Sequence, residues 1–323
     1  MERWMLRHSA DNRTLFFITV YFALFAVLWA ITPAGHAEWS PTDWWMGSIG
    51  FLLLCPLAFM GAVTTHNAIH CPIFRNKRLN KAFQVVLTLT YGHPVSSYVP
   101  GHNLSHHKHT QSRRDVMRTS KARFSWHLLN LLFFLPQVSK SIMRADAQYI
   151  MMMRKRHPRW FKQLIIELTI LMIANVALFV LDWRKGLILW LIPHLYAQWG
   201  IVTFNLLQHD GCDENSEYNH SRNFMSPLLN FFTYNNGYHT VHHRTPGLHW
   251  SKLPAIHARD ISPHIHPALE QQSMAKYLWH TFVLNNRDNF DGSAFILRRE
   301  GPDEDWIPDP RETSGDLGAE GFA

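Results

Sequence analysis

The stretch Trp44–His70, W-W-M-G-S-I-G-F-L-L-L-C-P-L-A-F-M-G-A-V-T-T-H-N-A-I-H, decides the fold. From Trp44 to Thr65 it is apolar and carries no charge, and it is as long as the roughly 17 to 25 residues that cross a bilayer. It then runs without a break into His66 and His70. On a continuing helix an i, i+4 pair turns both imidazoles to one face, which suits two ligands to one metal. A span that ends in metal-type ligands puts chemistry at the edge of the membrane.

Three further stretches share the length and apolarity of the first: Leu15 to Ala34, Leu164 to Leu181 and Leu187 to Leu207. Together they predict four transmembrane helices in two hairpins, spanning about 15–34, 44–65, 164–181 and 187–207. The mean hydropathy of the chain is nevertheless slightly negative, because long polar loops carry most of the 22 histidines. The first stretch is too long for the hydrophobic core of a signal peptide and is followed at once by a second span, so it reads as an uncleaved helix. Ala82 to Val99 and Phe124 to Val138 are too short or too interrupted to cross, and are expected in the interface.

Basic residues orient the chain. Of 31 Lys and Arg, 17 lie between the second and third spans and none between the first and second. The positive-inside rule then places both termini and the Thr65–Gln163 loop in the cytoplasm. The formal charge of +7 is mainly a topological signal. Nothing interleaves basic and aromatic residues as a nucleic-acid surface would, so no nucleic-acid partner is expected.

With that topology four histidine clusters fall on one side. They are His66 and His70; His102, His106 and His107 in H-N-L-S-H-H; His209 in Q-H-D; and His239, His242 and His243 in H-T-V-H-H. His106 and His107 are adjacent, so their rings point about 100° apart on a helix and reach two metals more simply than one. His239, His242 and His243, at i, i+3 and i+4, share a face. The zinc-protease pattern H-E-x-x-H is excluded because Asn67 stands where the Glu must be. Soluble di-iron bundles use Glu-x-x-His twice, and this chain has that spacing once, from Glu217 to His220. All-nitrogen ligation leaves iron, copper, zinc and nickel open. His93 and His109 are read as surface or supporting residues.

The run Asn235–His257, N-N-G-Y-H-T-V-H-H-R-T-P-G-L-H-W-S-K-L-P-A-I-H, with the order of boxes and spans from about Thr65 to about Arg259, resembles the membrane-bound fatty acid desaturase family, which includes hydroxylases and acetylenases. The resemblance implies an all-α integral membrane protein, a four-helix stem plus interfacial helices, with a cytosolic helical cap from 66–163 and 208–299 that holds a histidine-rich di-metal site. It implies two iron ions, O₂ as co-substrate, and an acyl lipid substrate presented as acyl-CoA, acyl-carrier protein or phospholipid. His66, His70, His102, His106, His107, His209, His239, His242 and His243 carry over as the iron ligands. Two departures stand out. Asn67 and Cys71 occupy positions around the first box where many members have an acid, and the second box has three residues before its pair where many have two. The extra residue adds about 100° of rotation on an α-helix.

The implied reaction is O₂-dependent desaturation of a fatty acyl chain, with hydroxylation or acetylene formation on the same centre as the near alternative. Hydrogen removal from an unactivated methylene needs a strong oxidant, which a reduced di-iron site with O₂ supplies. No flavin or nicotinamide fingerprint is present, so electrons are expected from a separate donor such as a ferredoxin or a cytochrome b5-like protein. Cys55, Cys71 and Cys212 form no C-x-x-C pair, which agrees with a reducing compartment. Asp115, Asp210, Asp213 and Glu217 are candidates to orient the ligand rings. Asn235 and Asn236 read as turn formers before Gly237, and Trp44, Trp45, Trp126, Trp199 and Trp250 as interfacial anchors. A histidine-rich metal transporter is the distant alternative. It would need ligands within the spans, where only Glu167 and His194 lie. Residues 1–299 are expected to form one domain, and the acidic stretch 300–323 a loosely ordered tail.

Overall fold

The computed structural model describes residues 5–33, 38, 40–297 and 301–305. It is mostly helical, and its chain divides into two compact units, Met1–Tyr98 with Met153–Ile201, and Val99–Met152 with Val202–Leu317.

In the first unit, α1 (Asp11–Ile31) and α2 (Pro41–His70) pack on each other. α2 starts sharply because Ser40 caps it: its hydroxyl accepts the Asp43 N–H, the Asp43 carboxylate accepts the Ser40 N–H, and Pro41 fills the first turn. At Gly50 a Cβ would stand 2.5 Å from Leu28 Cδ2, so glycine sets how closely the two helices approach. α3 (Lys77–Tyr91) ends at Gly92, whose φ of +72° favours glycine. A short helix α4 (Val95–Val99) follows. Among the described residues four helices are long and apolar enough to cross a membrane: α1, α2, α6 (Pro158–Leu181) and the run Trp183–His209, whose α-helical end is α7 (Ile192–His209), with its residues from Val202 on in the second unit.

The two titratable groups expected inside spans are both committed to neighbouring helices. Glu167 on α6 accepts the Ser96 backbone N–H at 2.9 Å, the Ser96 hydroxyl at 3.0 Å and the Gln163 amide at 2.9 Å. His194 Nε2 lies 3.0 Å from Tyr21 Oη and 3.0 Å from Leu89 O. Side chains used this way hold helices together.

The sequence placed two interfacial segments at 82–99 and 124–138. The first is split by Gly92 into α3 and α4. The second is longer than expected: α5 runs from His127 to Arg156 with Pro136 inside it. Its second half carries the apolar stripe Val138, Ile142, Ala145, Tyr149 and Met153 at helical spacing, which keeps one face covered past the charged residues between them.

In the second unit, Phe134 and Val138 of α5, Phe204, Leu206 and Leu207 of α7, and Phe224, Tyr277 and Phe282 form one buried cluster. Asn223–Phe224 (β1) pairs in parallel with Glu270–Gln271 (β2). α8 (Pro227–Phe232) and α9 (His239–Arg244) complete the part that matters for the histidines. Of the stretch 300–323, residues 301–305 lie within the described residues and the rest outside them. Arg118 donates to Gly301 O and Asp303, Arg113 donates to Pro302 O, and Lys121 pairs with Asp303.

Candidate metal centre

His66 and His70 end α2 on the first unit, on the same uninterrupted helix that begins at Pro41. Their ring centroids are 5.4 Å apart, edge to face.

The second box departs from the α-helix. Pro100–His106 is a π-helical turn, closed by the His107 N–H donating to His102 O, before an α-helical turn at His107–His109. Bonding from i to i+5 widens the turn, so residues five apart fall on one face where an α-helix would rotate them away. The extra residue in H-N-L-S-H-H is absorbed in this way. His102 Nε2 and His107 Nε2 stand 3.1 Å apart. His106 points elsewhere, its Nδ1 donating to Asp115 Oδ2 at 2.9 Å.

His209 is the last residue of α7, and its Nδ1 donates to His220 O at 3.0 Å. The third box sits on α9, a six-residue helix entered through the tight turn at Gly237. A Cβ there would lie 2.2 Å from Phe224 O, and the Gly237 N–H donates to Asn230 Oδ1 at 3.1 Å. Asn235, at φ +60°, and Asn236 build the turn; Asn236 O also accepts the Gln208 amide beside His209. The three histidines of this box do not stay together. His239 and His243 face one way, and His242 meets His107, Nε2 to Nε2, at 3.1 Å.

Two groups result within the second unit. His106, His209, His239 and His243 each offer a ligand nitrogen within 4.8 Å of the others, and His102, His107 and His242 do the same. The adjacent His106 and His107 belong to different groups.

Proton bookkeeping shows what the first group is suited to hold. A ring nitrogen facing a carbonyl or carboxylate oxygen must carry the hydrogen. His209 Nδ1 faces His220 O and His106 Nδ1 faces Asp115, which leaves a bare lone pair on each Nε2. Thr110 donates its hydroxyl hydrogen to His106 O, so it accepts from His243 Nδ1 at 3.5 Å and bares that Nε2 as well. His106 Nε2 and His243 Nε2 are buried with no hydrogen-bond partner. Burial, then the neighbouring imidazoles His107, His239, His209 and His106, hold His243 well below the ordinary histidine range, so it stays neutral. His209 Nε2 lies 3.0 Å from His239 Nε2, while the Nε2 atoms of His106 and His243 are left for a bound cation to satisfy. The residues therefore fit a bound metal.

Of the four carboxylates expected to orient rings, only Asp115 does so. Its pKa is pulled up by burial but held below the usual range by His106 and by the N–H groups of Gln111 and Met117. Asp210 is adjacent to His209 in sequence yet serves Arg287, with bonds of 2.7 and 3.0 Å, and His127 at 3.1 Å. Burial raises its pKa and the hydrogen bonds from His127 and Arg287 lower it, to about 2 on balance. Asp213 Oδ1 accepts the Asn215 N–H, and Glu217 pairs with Arg244 on the surface. His93 Nδ1 donates to Pro94 O. Trp250 is buried against Tyr234, whereas Trp44 and Trp45 are exposed at the start of α2. The sequence reading passed over His220, which stands beside His243 and had one signal, its Glu-x-x-His spacing.

The sequence matches the family model described as fatty acid desaturase over residues 42–273. No curated protein matches the chain.

Proposed function

Since the chain belongs to the fatty acid desaturase family, we propose that it is a membrane-bound oxidoreductase that introduces a carbon–carbon double bond into a fatty acyl chain. One CH₂–CH₂ pair, O₂, two electrons and two protons give one CH=CH and two waters. The electrons come from a separate reduced donor, of ferredoxin or cytochrome b5 type. The substrate is an acyl lipid, carried as acyl-CoA, acyl-carrier protein or phospholipid.

We assign nine histidines, His66, His70, His102, His106, His107, His209, His239, His242 and His243, as ligands to two irons; within the second unit His106, His209, His239 and His243 share one iron, and His102, His107 and His242 belong to the other. When bound, the irons supply O₂ activation and the oxidising power for C–H cleavage. The chain's own residues do the rest. Asp115 fixes the His106 tautomer by holding the Nδ1 proton, His220 O does the same for His209, and the Gly237 turn aims α9. Both termini and the metal centre are assigned to the cytoplasmic side, from the basic residues between the second and third spans. Residues 1–299 are taken as one domain with 300–323 outside it.

The convergence of His106, His209, His239 and His243, three of them with Nε2 lone pairs bared by their Nδ1 bonds, carries this reading. Its test is iron quantification of the purified protein together with lipid profiling of cells that express it. About two irons per chain and a new alkene that disappears in His242→Ala are expected. The same alkene from the variant would refute the site. A hydroxylated product without alkene would move the enzyme to the hydroxylase branch of the same chemistry.

A further inference from the structure

Next to the group His106, His209, His239 and His243 stands a histidine that the assignment leaves unused. His220 Nδ1 lies 3.2 Å from Ser216 O, and a carbonyl can only accept, so the ring is the Nδ1–H tautomer with its lone pair on Nε2. That Nε2 is buried and has no hydrogen-bond partner.

The ring centroid of His220 is 5.6 Å from that of His243. Five ring pairs of the group itself, His106–His209, His106–His243, His209–His239, His209–His243 and His239–His243, lie 4.5 to 4.9 Å apart. His220 therefore stands just outside the ring of four. Its backbone is already part of the site, because its carbonyl accepts the His209 Nδ1 proton at 3.0 Å. Glu217, the other half of the Glu-x-x-His spacing, is turned away and paired with Arg244 at 2.7 Å. The histidine faces the site without the carboxylate that accompanies it in soluble di-iron bundles.

We propose that His220 is a fifth ligand, through Nε2, to the metal held by His106, His209, His239 and His243. The inference rests on the di-metal reading and adds a tenth histidine to it. That metal then has five imidazoles. The tautomer is fixed by Ser216 O, as ligating histidines are commonly fixed by an acceptor on the second ring nitrogen.

The test uses the purified full chain and cobalt(II) as the probe, under anaerobic conditions. The wild type should take two cobalt ions. His220→Leu should keep its thermal midpoint, bind one ion as before, bind the second at least tenfold more weakly, and show the stronger visible absorption of a lower-coordinate cobalt. A second measurement needs no variant: histidine C2-hydrogen exchange, read by mass spectrometry with and without zinc(II). Exchange at His220 should slow severalfold on adding zinc, as at His243, while His264 stays unchanged. Unaltered cobalt binding and spectrum in His220→Leu, or unslowed exchange at His220 while His243 is protected, overturns the fifth ligand and leaves the di-metal reading standing. A wild type that fails to bind two ions overturns the di-metal reading itself.

Discussion

Asp115 and His106 are nine residues apart in sequence, and Asp115 Oδ2 lies 2.9 Å from His106 Nδ1 with both side chains buried. The same carboxylate accepts the backbone N–H groups of Gln111 and Met117 at 2.9 and 2.8 Å, so the loop that carries it is tied to the ring it orients. Asp115→Asn removes the charge at nearly constant shape. Iron should then be lost to a chelator at about ten- to a hundredfold lower concentration than from the wild type. Unchanged chelator resistance would mean that His106 holds its tautomer without help.

The π-helical turn makes His102 and His107 equivalent in access to a shared metal. His102→Ala and His107→Ala should therefore each lower the bound cobalt from about two ions per chain towards one, to a similar degree. If His102→Ala retained both ions, the widened turn would be a local irregularity without a role in ligation.

Gly237 leaves no room for a methyl group, since a Cβ would meet Phe224 O at 2.2 Å and Asn230 Oδ1 at 2.5 Å. Neither atom can withdraw freely: Phe224 O also accepts the Asn230 amide at 2.7 Å, and Asn230 Oδ1 accepts the Gly237 N–H. Gly237→Ala should destabilise the protein by about 1 to 3 kcal/mol. The checks are a lowered thermal midpoint and reduced iron content after purification.

Asp146 on α5 has a buried Oδ1 without a hydrogen-bond partner, and burial pushes its carboxyl up from 3.8 to about 8. A folded pKa above the unfolded one means that stability is fully present below about pH 4, declines as the pH rises, and levels off above about 8. Asp146→Asn should therefore be indistinguishable in stability from the wild type at the acid end. At pH 8 it should be more stable by about 1 to 3 kcal/mol. Thermal midpoints measured from pH 3 to 9 should coincide at the acid end, diverge between about pH 4 and 8, and keep a constant gap above that. A gap constant over the whole range would show that the carboxyl ionises normally.

Much of this architecture could be read from residue order alone. The four candidate spans are long apolar runs of the length that crossing a bilayer requires, and α1, α2, α6 and the Trp183–His209 run lie close to where composition put them. Periodicity was there to be read in α5 as well, but Pro136 and the charges of the Lys140–Arg156 stretch obscured a stripe that continues through Tyr149 and Met153. The histidine boxes were visible as spacings, and so was the parting of the adjacent His106 and His107 into different groups, whereas the separation of His242 from His239 and His243 was not. A π-helical turn at His102 rotates side chains by amounts that spacing on an ideal α-helix does not give. Nor does adjacency predict partnership. Asp210 touches His209 along the chain but spends its charge on Arg287 and His127, while Asp115 reaches its histidine only because the loop between them folds back.

Arg118, 2% exposed, makes hydrogen bonds to Asp115 O, Gly301 O and Asp303. An expression design that trims the acidic end at residue 299, on the ground that its composition looks dispensable, would remove two of those acceptors together with the Asp303 contact to Lys121. A buried guanidinium that loses acceptors draws in water. Here that water would enter beside the aspartate that aims His106, and shortening the chain would be felt as poor metal retention.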